Sequence, residues 1–171
     1  VECMKIRNFL TEEMGVSLRE DIGLGIKPIS AFGSKRIMRK AIKYAIEQNR
    51  SSITIVHKGN IMKYTEGLFR ACCYKVAEEE FSGQVITEGE ARGKTAESLP
   101  DNKILVKDRI ADAMFQQILL RPEDYDVIVT PNLNGDYLSD AIAATAGGFG
   151  MAPGATVGEE AAGCWRTHGT E

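Results

Sequence analysis

Long hydrophobic runs are missing from this sequence of 171 residues. No apolar stretch approaches the roughly 18 residues that a membrane-spanning helix needs, which excludes an integral membrane protein. A basic excess is also missing, because 21 lysines and arginines stand against 24 aspartates and glutamates, for a net charge of −3. That balance lacks the footprint of a nucleic-acid-binding protein. Aromatic residues, at 7%, form no stacking platform for single strands.

Paired cysteine motifs are missing as well. Two of the four cysteines are adjacent, at Cys72 and Cys73, and the other two, Cys3 and Cys164, lie far away. Without a CxxC pair or a regular spacing, the pattern favours neither a zinc site nor a disulfide framework. We therefore expect a reducing compartment and a cytoplasmic location, with a mitochondrial one left open.

A complete dinucleotide-binding glycine fingerprint is missing too. The glycines at Gly23 and Gly25 and those in residues 147–150 do not match G-x-G-x-x-G after a strand, so a Rossmann domain is not supported. His57 and His168 are isolated histidines, for which a hydrogen-bonding role is commoner than a ligand role.

What is present is an alternation of helix and strand patterns, which predicts the α/β class. Ser34 is the predicted N-cap of a helix with Ile37, Ala41, Ile42, Ala45 and Ile46 facing inward. Short β-branched runs predict strands, and apolar residues at helical spacing predict further helices, with Asp108 as the cap of one of them. The predicted strands are 53–56, 104–106 and 125–129, and the predicted helices are 62–80, 108–120 and 136–146.

Two features could carry chemistry. Asp136 and Asp140 are spaced i, i+4 on a helix that follows a buried strand, which suits a divalent cation such as Mg²⁺ or Mn²⁺. The alternative is an acidic helix start favoured by the helix dipole. Lys58 follows another buried strand, where open α/β sheets place ligands; its alternative is a lysine reaching from a turn into solvent. Asp112 by itself is most simply a solvated helix carboxylate.

Five segments then carry a resemblance to a known family. The segments that resemble the prokaryotic-type NADP-dependent isocitrate dehydrogenases are residues 56–67 (VHKGNIMKYTEG), 110–113 (IADA), 116–122 (QQILLRP), 132–140 (NLNGDYLSD) and 152–155 (APGA). The similarity runs along nearly the whole chain and is loose only at residues 88–102. The related isopropylmalate dehydrogenases share the fold and the metal aspartates. Their lysine motif, however, resembles Lys-Ala-Asn, where this chain has Lys58-Gly59-Asn60.

The resemblance implies an activity and a set of site residues. The activity is oxidative decarboxylation of isocitrate to 2-oxoglutarate with reduction of NADP, in a homodimer whose active sites are shared between subunits. Asp136 and Asp140 would hold Mg²⁺ or Mn²⁺, joined by Asp112 from the partner subunit, and Lys58 would cross the interface to handle protons at the substrate hydroxyl. Asn60 would lie near substrate and nicotinamide. The implied NADP-binding residues are Asn60, Gln117, Arg121, His168, Gly169 and Thr170.

The resemblance also implies a partial isocitrate/isopropylmalate dehydrogenase-like fold. Residues 1–27 are similar to a clasp-like dimerisation segment, 28–150 to the small α/β domain, and 151–171 to the start of a large-domain cofactor segment. The chain begins inside a helical pattern and ends in a polar segment typical of a loop, so we expect it to be part of a longer protein. Because the family's substrate-carboxylate clamp and catalytic tyrosine come before residue 1, we expect little or no turnover from the chain alone.

Two other functions stay open on the sequence. The chain could serve as a non-catalytic dimerising module. It could also belong to another β-decarboxylating dehydrogenase, acting on homoisocitrate or isopropylmalate.

Overall fold

The computed structural model describes most of the chain, namely residues 2–92, 99–100, 103–148, 150, 152–158 and 161–166. Helices and strands alternate through it. The chain opens with α1 (Glu2–Asn8), which continues as a π-helical segment at Phe9–Glu13. The remaining helices are α2 (Ala31–Glu47), α3 (Glu66–Glu80), α4 (Glu88–Ala91), α5 (Ala111–Leu120) and α6 (Asn132–Thr145), with a 3₁₀ turn at Pro122–Asp124. The strands are β1 (Ser52–His57), β2 (Val85–Thr87), β3 (Ile104–Ile110), β4 (Val127–Val129), β5 (Pro153–Val157) and β6 (Ala162–Arg166).

The first four strands form one parallel sheet in the order β2-β3-β1-β4. Strand β1 is central, and all six of its residues are buried, as expected for a strand covered on both faces. The register sets His57 beside Ile110 of β3 and Ile55 beside Val129 of β4. Strands β5 and β6 pair separately as an antiparallel ladder. The predicted α/β class is confirmed.

The core lies on both faces of the sheet. Alternate β1 residues point to opposite sides, so Ile53 and Ile55 pack with buried residues of α2 and α3, such as Met38 and Phe69. On the other side Val56 packs with Met114 and Ile118 of α5 and Leu138 of α6. Helix α5 therefore follows β3 on the same face as α6, which follows β4. This packing fixes where the segments after the strands lie.

Helix α2 begins earlier than predicted. Its N-cap is Ser30, whose Oγ accepts a hydrogen bond from Gly33 N at 2.9 Å, and the predicted cap Ser34 is buried inside the helix. Met38 is completely buried, whereas Ile37 and Ile46, predicted to face inward, are exposed to 45% and 41%. The buried stripe is centred on Met38, Ile42 and Ala45, and the two isoleucines lie outside it.

Three other predicted element starts are wrong. Asp108 caps no helix; it lies within β3, and α5 begins after Ile110. Helix α3 begins at Glu66 rather than near residue 62, because residues 58–65 are taken up by turns in which Lys58 O accepts from Ile61 N and Met62 N. Helix α6 begins at Asn132, four residues before the predicted start.

No helix in the described part of the chain is long and apolar enough to cross a bilayer. All four cysteines are free, and Cys72 and Cys73 are buried.

Candidate functional site

The lysine motif lies at the carboxyl edge of the parallel sheet. Lys58 comes directly after β1, and its Nζ forms an ion pair with Oδ1 of Asp112, two residues beyond β3. The two strands are neighbours with His57 beside Ile110, so the sheet register itself brings the residues together. The Lys58 side chain is 34% exposed and that of Asp112 69%. The hydrogen bond from the ammonium lowers the pKa of the Asp112 carboxyl. Carboxylate and ammonium are thus held at the edge where such sheets bind ligands.

The paired aspartates lie on α6, which follows the next strand, β4. Asp136 and Asp140 share one face of this helix at i, i+4 spacing; Asp136 is exposed and Asp140 half-buried. Because α6 begins at Asn132, its first turn carries no acidic residue. The dipole effect falls off within the first turn, so the helix dipole does not account for Asp136.

A single chain does not assemble the three predicted metal ligands. Within the described residues, no group of three or more histidine, cysteine, aspartate or glutamate side chains comes together in a way that could hold a metal ion. Asp112 pairs with Lys58, and the two aspartates of α6 form a separate acidic face. The chain therefore presents two part-sites, a lysine–aspartate pair and an aspartate pair.

A buried carboxylate, Glu66, follows the turn that carries Lys58 (residues 58–65, the lysine turn). The sequence pattern alone did not indicate it. Glu66, the first residue of α3, is 1% exposed, and it accepts hydrogen bonds from Lys27 Nζ, Lys58 N and Asn134 Nδ2. Burial acts to raise the pKa of Glu66, but these hydrogen bonds outweigh it and hold the pKa below its ordinary value. No sequence signal marks Glu66, since a glutamate at a helix start is normally exposed.

His57 has the hydrogen-bonding role predicted for it. It is buried at the end of β1; its Nδ1 accepts from Gly59 N at 2.9 Å, and its Nε2 therefore donates to Asp108 Oδ2 at 3.0 Å. Asp108 also accepts from Arg70 at 3.0 Å and from Tyr74 at 2.6 Å. Burial opposes ionisation of Asp108, but the three donors hold its pKa well below its usual range. His57, held by Asp108, therefore stabilises the turn that carries Lys58.

The residues predicted to bind cofactor have different surroundings. Asn60 is exposed in the lysine turn. Gln117 is half-buried in α5, and its Oε1 accepts from Tyr125 OH and from Arg109 Nε at 3.3 Å. Arg121 directly follows α5 as its C-cap and is exposed, with its Nε 3.7 Å from Asp124 Oδ2. The predicted residues His168, Gly169 and Thr170 lie outside the described residues.

Sheet, lysine turn and aspartate helix together define a parallel α/β protein with a polar site at the carboxyl ends of its strands. The family model for isocitrate/isopropylmalate dehydrogenase matches residues 8–171, and the chain belongs to that family. The resemblance seen in the sequence is confirmed.

Curated relatives are similar over nearly the whole chain. The isocitrate dehydrogenase (NADP) of Archaeoglobus fulgidus is 61% identical over 158 residues, which cover 92% of this chain and 38% of the relative. The isocitrate dehydrogenase (NADP) of Pseudomonas aeruginosa is 53% identical over 176 residues, covering 99% of this chain and 41% of the relative. The chain thus spans about two fifths of the length of these relatives.

Solved structures confirm the fold. The isocitrate dehydrogenase from Methylococcus capsulatus superimposes with a TM-score of 0.71 at 35% identity, covering 90% of this chain and 40% of that one. The TT0538 protein from Thermus thermophilus gives a TM-score of 0.72 at 32% identity, with 88% of this chain and 26% of that chain covered.

Proposed function

We propose that the chain forms the lysine- and metal-binding part of an NADP-dependent isocitrate dehydrogenase, which oxidises isocitrate and releases CO₂ to give 2-oxoglutarate. The single observation that carries the proposal is the arrangement of Lys58, Asp112, Asp136 and Asp140 along one sheet edge, in a chain whose relatives are named for this activity. The curated names also favour isocitrate over homoisocitrate and isopropylmalate, and NADP as the cofactor.

The donor set fits a hard divalent cation. Asp136 and Asp140 offer two carboxylates on one helix face, and Mg²⁺ or Mn²⁺ is commonly held by one or two carboxylates plus water and substrate oxygens. Asp112 of a second subunit would complete the set, which accords with the finding that the described residues of one chain contain no group of three such ligands that could hold a metal ion. When bound, such an ion supplies Lewis acidity toward the substrate's hydroxyl and carboxylate oxygens.

The chain's own residues have roles that follow from their positions. Lys58, whose Nζ already interacts with a carboxylate, would hold or move the proton at the substrate hydroxyl. Asn60, exposed two residues further on, would contact substrate and nicotinamide. The exposed guanidinium of Arg121 can bind the 2′-phosphate of NADP through paired hydrogen bonds, and Gln117, His168, Gly169 and Thr170 would complete the cofactor site.

We also propose domain roles for the segments of the chain and a homodimeric state for the complete protein. Residues 1–27 would form the dimerising clasp, 28–150 the small domain and 151–171 the beginning of the large domain. The enzyme would be a cytoplasmic homodimer with active sites shared between subunits, and the four free cysteines suit a reducing compartment.

Steady-state kinetics on the complete protein test the proposal. We expect NADPH to form from isocitrate in the presence of Mg²⁺ or Mn²⁺, and to stop when a chelator removes the ion. A kcat/KM with isopropylmalate or homoisocitrate exceeding that with isocitrate would refute the substrate assignment. A stable dimer without dehydrogenase activity on any of the three substrates would favour the dimerising module.

A further inference from the structure

Glu66 is a buried carboxylate with no direct role in the proposed reaction. It begins α3 and is 1% exposed, although an acidic residue at a helix start ordinarily faces water. An ionised carboxylate withdrawn from water is costly unless its oxygens are hydrogen-bonded or paired with charge. Its partners therefore indicate why it lies there.

The partners come from three separate segments. Oε1 accepts from Lys27 Nζ, 39 residues earlier in the chain. Oε2 accepts from the backbone N–H of Lys58 and, at 2.7 Å, from Asn134 Nδ2, which is 68 residues further along. One oxygen thus serves both the turn that carries Lys58 and the helix that carries Asp136 and Asp140.

The surrounding backbone leaves this turn little room to move. A Cβ on Gly59 would come within 3.0 Å of Gly67 Cα and of His57 Nδ1, so the lysine turn packs directly on the start of α3. The amides of Lys58 and Gly59 are each held by a side chain, those of Glu66 and His57 respectively. A shift of the Glu66 carboxylate would therefore displace the Lys58 backbone.

We propose that Glu66 is a positioning residue that fixes the lysine turn and the aspartate helix α6 relative to each other through its shared oxygen Oε2. The inference rests on the proposed function, because it assumes that Lys58 and the α6 aspartates of one chain are active-site residues, each in one of the two shared sites of the dimer. Glu66 would act through its hydrogen bonds to Lys58 and Asn134. Misplacement of reacting groups by about 1 Å can cost about 100-fold in rate.

The first test is Glu66→Gln in the complete enzyme. An amide is similar in size, but it carries no charge and has one acceptor oxygen. Because the amide NH₂ group would otherwise face the Lys27 ammonium, we expect that oxygen to face Lys27, which leaves Lys58 N and Asn134 Nδ2 without their acceptor. We expect kcat to fall by about tenfold or more, with a much smaller change in the KM for isocitrate. The matched control is Glu80→Gln on the same helix, where the glutamate pairs with Arg39 at the surface; its kcat should equal that of wild type.

A double variant separates positioning from stability. Glu66→Met removes both carboxylate oxygens and leaves the Lys27 ammonium without its partner, and Lys27→Met added to it removes that charge. We expect the double variant to recover the thermal unfolding temperature but not kcat. Recovery of kcat together with the unfolding temperature would overturn the proposal, because the residue would then be only structural.

Glu66→Asp keeps the test decisive if Glu66→Gln does not fold. It retains the charge opposite Lys27, but its side chain is one methylene too short to reach Lys58 N and Asn134 together. A lowered kcat in a folded Glu66→Asp variant supports positioning. A kcat within about twofold of wild type, in this variant or in folded Glu66→Gln, contradicts it.

Hydrogen–deuterium exchange supplies a readout that does not depend on turnover. Without substrate, we expect Glu66→Gln to raise exchange in peptides covering residues 57–62 and 131–137, and Glu80→Gln to leave both unchanged. Unchanged exchange in Glu66→Gln would overturn the proposal. If the wild-type protein showed no isocitrate activity while Glu66→Gln raised exchange, the proposed function would fail and the structural link made by Glu66 would stand.

Discussion

The lysine of the β1 turn illustrates how one side chain takes its role from its neighbours. A lysine in an exposed turn ordinarily extends into solvent, but Lys58 contacts Asp112 because adjacent parallel strands end side by side. The structure thus favours a specific role over the solvent-reaching alternative. An ammonium held at a sheet edge is available for proton transfer to a bound substrate.

Replacing Lys58 tests that role. On the proposed function, we expect Lys58→Met in the complete protein to lower kcat by about 100-fold to 10,000-fold, because the proposed acid–base group is lost. The matched control is Lys75→Met on α3, whose lysine forms an exposed i, i+4 pair with Glu79. Isocitrate-dependent NADPH formation measures both. A Lys58→Met enzyme with wild-type kcat would exclude a proton-transfer role for this residue.

Asp108 links protonation to stability. Its pKa in the folded chain lies well below the ordinary value of about 3.9, because His57, Arg70 and Tyr74 all donate to it. A carboxyl with a depressed folded pKa contributes stability above its unfolded pKa, and loses that contribution as the pH falls from about 4 toward the folded pKa.

We therefore expect Asp108→Asn to lower the free energy of unfolding by about 2 kcal/mol at neutral pH. The difference from wild type should shrink steadily below about pH 4. Urea unfolding at a series of pH values measures it. Asp21→Asn, which removes an exposed partner of Arg19, should have little effect at any pH. A difference that is constant from neutral to acidic pH would show that ionisation of Asp108 contributes nothing.

At the scale of elements, helix α2 depends on a cap that differs from the one predicted. Ser30 Oγ accepts from Gly33 N, which satisfies one of the free amides of the first turn. We expect Ser30→Ala to destabilise the fold by about 1 kcal/mol. Thr65, at the N-cap of α3, makes no such side-chain bond in the described structure, so Thr65→Ala should cost less. Thermal unfolding compares the two; equal losses would contradict the capping role.

The elements that the sequence predicted best are those with strong local patterns. The buried run in β1 and the stripe of Phe69, Cys73 and Val76 in α3 follow from hydrophobicity alone. The boundaries were predicted less well because long-range contacts decide them: Asp108 remains in β3, where partners from β1 and α3 satisfy it. The aspartate pair of α6 was found by its spacing. Glu66 was missed because its donors lie 8 to 68 residues away in the chain.

At the scale of the whole molecule, the separation of Lys58–Asp112 from the α6 aspartates has a consequence for a dimer. If each active site combines the α6 pair of one subunit with the lysine–aspartate pair of the other, Lys58 and Asp112 of one chain always serve the same site. Asp140 of that chain serves the other site. Variants in different part-sites should therefore complement each other in mixed dimers, whereas variants in the same part-site should not.

Mixing inactive homodimers tests this sharing. Lys58→Met combined with Asp140→Asn gives a hybrid dimer in which one site receives a wild-type lysine and a wild-type aspartate pair, and the other site receives neither. With random exchange of subunits half of the dimers are hybrids, so about one quarter of the wild-type activity should return. Lys58→Met mixed with Asp112→Asn is the matched control and should stay inactive, since both residues come from the same chain at every site. Subunit exchange is verified by native mass spectrometry. Full exchange without recovery in the first mixture, or recovery in the second, would show that the active site is not divided between subunits in this way.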